Sequence, residues 1–147
     1  MDLQAVGDFF SRDTVPFFGA ELHPAMGLAL RIVSAAAFVT ANAAWEEILY
    51  RGLFLETSSV LYSSLSFGLA HLPNMLAPGV GIGQTLLQTL FATAFGFYTA
   101  DRVIQRSYRL ERMVSLHYWN NVLSMVLGYL LDPEEYGRLT VGFELSF

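Results

Sequence analysis

Two stretches of the chain contain no Asp, Glu, Lys or Arg: 44 residues from Thr57 to Ala100, and 19 from Met113 to Leu131. A helix needs about 20 mostly apolar residues to cross the hydrocarbon layer of a membrane. The first stretch is therefore long enough for two crossings and the second for one. A further apolar stretch, Pro24 to Trp45, is interrupted only by Arg31. Pro24 suits the first turn of a helix, and no Gly or Pro breaks residues 28–51, so this helix is expected to continue to about Glu56. The small residues Ser34, Ala35, Ala36, Ala37, Ala41, Ala43 and Ala44 allow close helix contact in a membrane. Turn chemistry at Pro73-Asn74 and at Pro78-Gly79-Val80-Gly81 divides the long charge-free run into segments of about 58–77 and 80–100. The expected fold is all-α, a polytopic membrane helical bundle of about four transmembrane helices. Its core is residues 24–131. Residues 1–23 read as an interfacial or loop segment, and 132–147 as a polar tail.

Composition agrees. The chain is 54% hydrophobic and 14% charged, against about 25% charged for soluble domains. That excludes an ordinary soluble enzyme and a disordered chain. With no cysteine there are no disulfides, no thiol catalysis and no thiolate metal sites. The net charge of −5 argues against a nucleic-acid partner. All eight cations are arginine. Four of them, Arg102, Arg106, Arg109 and Arg112, fall in the link 101–112, which the positive-inside rule places in the cytoplasm of a multi-pass cell-membrane protein. Trp45, Tyr118 and Trp119 suit an interfacial aromatic belt. Arg31 is expected to snorkel or to meet Glu21. His23 is expected in a loop.

Titratable residues within a membrane cost roughly 2.5–3.5 kcal/mol each, so those present need partners or water. Glu47 and Arg51 are spaced i, i+4 with Glu first, the favoured order for an ion pair on one helical face. Glu46 lies about 100° round the helix and is expected to face something else. Phe67 and His71 are i, i+4 in the second segment. His117 and Asn121 are i, i+4 in the fourth, with Asn120 between them. One carboxylate, two imidazoles and an amide thus come from three segments. Such a set can deprotonate a water through the carboxylate and stabilise an oxyanion through His and Asn. The same Glu46, His71 and His117 could instead hold a divalent cation such as zinc.

Glu46-Glu47-x-x-x-Arg51-Gly52, Phe67-x-x-x-His71 and His117-x-x-x-Asn121 resemble the three ordered motifs of the CPBP (Abi) intramembrane protease family, which includes the type II CAAX prenyl endopeptidases. The resemblance runs from about Trp45 to Leu123. It implies an intramembrane endopeptidase acting on a membrane-associated protein or peptide among membrane lipids. Glu46 would activate water, and His71 would assist. His117 and Asn121 would form the oxyanion site. Glu47 and Arg51 would support, as Phe67 and Asn120 do by position. The family has been described both as metalloproteases and as glutamate-type. There is no HExxH here, so metal-free catalysis without a cofactor is the expectation. Family members usually carry more helices, so this chain reads as the core alone, and substrate class does not transfer. The alternative is a catalytically inactive member serving as a membrane scaffold or bacteriocin-immunity-type binding protein.

Overall fold

A computed structural model describes residues 3–76 and 81–137. The fold is all-α, as the hydropathy pattern implies. Among the described residues the one sheet is a two-stranded hairpin. The chain divides into two compact units. One comprises Met1–Ala41 with Tyr118–Thr140, and the other is centred on Asn42–His117.

In the first unit, the described part of the segment expected to be interfacial or loop, from residue 3 on, carries regular structure. It forms α1 (Leu3–Phe10) and a hairpin of β1 (Val15–Phe17) and β2 (Ala20–Leu22), with Val15 opposite Leu22. Phe18 and Gly19 make its turn with positive φ. Asp8, Asp13 and Glu21 are exposed, while Phe9 and Val15 are buried against Tyr129, with Phe17 and Leu28 around them. The Tyr129 hydroxyl donates to the Pro16 carbonyl at 2.9 Å. His23 ends the hairpin and starts the next helix, its Nδ1 accepting from the Ala25 N–H at 3.3 Å. Arg31 neither snorkels nor meets Glu21. It is buried, its Nε donates to the Met125 carbonyl at 3.4 Å, and its guanidinium lies 5.8 Å from the Tyr129 ring centre. The tail begins with a short helix, α7 (Pro133–Gly137), and residues 138–147 lie outside the described residues.

Helix α2 (Pro24–Glu46) runs on through a π-helical stretch (Glu47–Phe54) into a last α-turn, α3 (Leu55–Thr57). Together they make one helix of 34 residues, long and apolar enough to cross a membrane. The expected end near Glu56 holds; the π stretch was not legible in the sequence. The chain reverses at Ser58, and the Ser59 hydroxyl caps α4 (Val60–Leu69) by accepting from the Tyr62 N–H at 3.1 Å.

The segment 58–77 is therefore not a spanning helix. With ten residues α4 is about 15 Å long, half the hydrocarbon thickness, and a 3-10 turn (Leu72–Leu76) follows it. The turn expected over Pro78-Gly79-Val80 lies outside the described residues. Helix α5 (Ile82–Gln105) continues beyond Ala100 into the arginine-rich link, because Gln105 donates to Asp101 at 2.7 Å and Arg102 to Gln105 at 3.3 Å along its surface. Helix α6 (Glu111–Leu131) starts two residues ahead of its apolar segment. Both are long enough to span, but among the described residues only Pro24–Thr57 meets the apolar criterion as well.

In the second unit α4 packs tightly on α5. Small residues set the distance: a Cβ on Gly96 would come within 3.0 Å of the Ser64 Cα, and one on Gly68 would collide with Thr93 Oγ1. Leu55, Ala100, Val103 and Met113 fill one apolar cluster, and Tyr50, Phe67 and Ala92 another. The outer face of α5 exposes Leu87, Leu90 and Phe91, each at least 60% accessible. This apolar area suits lipid contact and would be costly in water.

Candidate active site

The site grows from the point where α2 widens. A π turn closes hydrogen bonds to the fifth residue rather than the fourth, as the Leu55 N–H does to the Tyr50 carbonyl. That carbonyl also accepts from the buried Ser63 hydroxyl of α4 at 2.6 Å. The widening overlaps the Glu-Glu-x-x-x-Arg sequence and buries Glu47, Tyr50 and Arg51 together.

Glu47 and Arg51 pair as their spacing predicts, Nη1 to Oε1 at 3.5 Å, with both side chains fully buried. Arg51 is held on two further sides. Its Nε donates to Thr99 Oγ1 on α5 at 2.9 Å, and its guanidinium lies 4.0 Å from the centre of the Phe67 ring. Thr99 in turn donates to the Phe95 carbonyl at 2.9 Å. Such stacking suits a guanidinium better than an ammonium.

His117 stands between the two carboxylates. Its Nδ1 is 3.0 Å from Glu47 Oε1, and its Nε2 is 3.4 Å from Glu46 Oε2. The expectation that Glu46 and Glu47 serve separate partners is thus corrected: one imidazole reaches both, a nitrogen to each. Glu46 is also held by Asn42, one turn earlier, whose Nδ2 donates to Glu46 Oε1 at 2.9 Å. Both Glu46 and His117 are buried.

Phe67 ties the remaining histidine to this group. Its ring centre is 5.7 Å from that of His117 and 5.1 Å from that of His71, edge-on to both. Phe95 also contacts His117. His71 is half-buried just past the end of α4, with Nδ1 2.9 Å from the Phe67 carbonyl. A carbonyl only accepts, so that contact places the proton on Nδ1 and leaves Nε2 as the lone-pair nitrogen of the neutral ring.

The structure therefore brings Glu46, Glu47, Arg51, Phe67, His71 and His117 together in one unit. Asn120 and Asn121 belong to the other unit, half-buried, the Asn120 amide donating to Asn121 Oδ1 at 3.2 Å. Asn42, Thr99 and Phe95 join the group from outside the three motifs. Asn42 had a signal, being an amide one turn before Glu46 in an alanine-rich segment. Thr99 and Phe95 had none. Among the described residues no three His, Asp or Glu side chains are placed to share a metal ion, and both nitrogens of His117 face carboxylates.

The model of a family described as type II CAAX prenyl endopeptidase Rce1-like matches residues 28–123. No curated protein and no solved structure matches the chain.

Proposed function

The chain belongs to the type II CAAX prenyl endopeptidase Rce1-like family of membrane-embedded peptidases, and on that premise we propose that it hydrolyses a peptide bond of a membrane-associated protein or peptide with a water activated by Glu46. The observation that carries this reading is the unequal grip on His117. Its Nδ1 is anchored at 3.0 Å by Glu47, itself locked by Arg51, while its Nε2 meets Glu46 loosely at 3.4 Å. An N···O separation of 3.4 Å is beyond the ordinary hydrogen-bond range, so Glu46 and Nε2 are free to take other partners when substrate and water arrive.

In this mechanism Glu46 takes a proton from water as its oxygen attacks the scissile carbonyl carbon. Negative charge builds on the carbonyl oxygen. His117, its Nδ1–H given to Glu47, donates to that oxygen through Nε2 in the doubly protonated form, the only one in which both ring nitrogens carry a proton. Asn121 is assigned the second donor from motif spacing alone. Collapse of the tetrahedral centre breaks the C–N bond, and the proton held by Glu46 passes to the leaving nitrogen. His71 orients the water through its Nε2. Glu47 Oε2 and both terminal nitrogens of Arg51 are buried without a hydrogen-bond partner among the described residues, and such capacity is normally spent on a water or a polar ligand group. The reading is metal-free, in keeping with a sequence that carries no HExxH. It places the chain as a multi-pass protein of the cell membrane with the 101–112 link in the cytoplasm.

The test compares peptide termini in membrane fractions of cells expressing the wild type or Glu46→Gln at matched levels. The amide keeps the shape and the Asn42 contact but cannot serve as a base. New termini should depend on the wild-type protein, with rates in the variant lower by at least about 10²-fold, and should persist with a chelator. Identical termini from both proteins would assign this polar group to binding, as in a scaffold or immunity protein.

A further inference from the structure

The turn between α5 and α6 carries a second polar feature, separate from the residues of the reaction. Arg106, Ser107, Arg109, Glu111 and Arg112 line a cavity of about 510 Å³, within the range of small-ligand sites. Arg109 is internally satisfied: its Nη2 is 3.0 Å from Glu111 Oε1. The Glu111 carboxyl is held below its usual range by the backbone N–H at the start of α6 and by Arg109, so it stays ionised as that partner. Arg106 and Arg112 have no carboxylate partner among the described residues. The turn thus offers two uncommitted guanidinium groups to one cavity, in a chain whose net charge is −5.

Guanidinium groups converging on a cavity match the oxygens of a phosphate, which they bind in bidentate fashion. The surroundings indicate which phosphate. Tyr108 in the same turn, Ile104 at the end of α5 and Leu116 in α6 are all exposed large apolar residues. Cations bordered by exposed apolar side chains at the ends of apolar helices have the arrangement of a headgroup-level lipid site. A soluble phosphate compound would gain nothing from the apolar border.

We infer that Arg106 and Arg112 form a binding site for the phosphate of an anionic phospholipid headgroup. The assignment does not depend on catalysis. Its test uses the purified full chain, delipidated in a nonionic detergent and titrated with short-chain phosphatidylglycerol, phosphatidylcholine or glycerol phosphate, with the bound fraction read by native mass spectrometry. Phosphatidylglycerol should bind, and the other two much more weakly. Arg112→Gln should weaken it roughly fivefold, and Arg106→Gln with Arg112→Gln about 30-fold, from about 1 kcal/mol per cation. Arg12→Gln, removing a cation that pairs with Glu134, should leave binding unchanged. Undiminished binding by a folded Arg112→Gln or double variant would overturn the inference. Equal affinity for phosphatidylcholine would also overturn it, as would equal affinity for glycerol phosphate.

Discussion

Arg51 shows how much of the site depends on a single side chain. It neutralises Glu47, stacks on Phe67 and is bound by Thr99, all away from solvent. Replacing it by Met takes the arginine from the buried Glu47, which keeps only its His117 contact, a loss of about 3–5 kcal/mol. Thermal unfolding in detergent should show it. Replacing Glu47 and Arg51 together by Met removes both charges and should recover much of that stability. The double variant should still fail to cleave, because Nδ1 of His117 has lost its anchor. The pairing of Glu47 with Arg51 was legible because helical spacing fixes which side chains share a face. The placement of His117 was not. A rotation of about 100° between neighbouring residues argued for separate partners, but an imidazole carries two nitrogens on opposite edges and can bridge two carboxylates that do not share a face.

At the scale of elements, glycine and serine positions decide the packing. Gly68 lets α4 meet α5 at Thr89 and Thr93. Gly68→Ala would drive a methyl group against Thr93 Oγ1 and to 2.9 Å from the Thr89 carbonyl, costing about 1–3 kcal/mol by overpacking, measurable as a lower unfolding temperature. The end of α5 carries the opposite opportunity. Tyr108 N–H bonds to the Val103 carbonyl at 2.9 Å and Ser107 N–H to the Ile104 carbonyl at 3.1 Å, a closure that usually puts glycine at the first position after the cap. Here Ser107 occupies it with φ 53°. Ser107→Gly should stabilise the protein by about 1 kcal/mol, raising the same unfolding temperature. The charge-free run hid these boundaries. Absence of charge reports what an element avoids and says nothing of where the helix ends. The break at Ser58 and the short α4 are set by capping and by contact with α5. In the same way the N-terminal hairpin lacked the polar–apolar alternation that announces a strand, since both of its strands have only three residues.

At the scale of the whole molecule, all-α architecture and membrane character were legible from hydropathy alone. The number of crossings was not, because a segment's length in sequence does not say whether it stays one helix. Orientation is open to direct measurement, since the chain has no cysteine and any introduced thiol is the sole target for labelling. Ser107→Cys, nearly isosteric and exposed in the α5–α6 turn, should react with a membrane-impermeant maleimide only once the cytoplasmic face is opened. Labelling in intact cells from outside would reverse the assigned topology.

Synthesis proceeds from the N-terminus, and the order of manufacture bears on the polar group at the end of α2. Asn42, Glu46, Glu47 and Arg51 leave the ribosome almost together, and each carboxylate already has a companion one turn away: Asn42 for Glu46, Arg51 for Glu47. His117 follows 70 residues after Glu47, an interval on the order of 10 s at ordinary elongation rates. During that time the nascent helix can partition into lipid carrying its own polar contacts. The histidine then joins a pair of acids already held in place, and the last partner to be made completes the group.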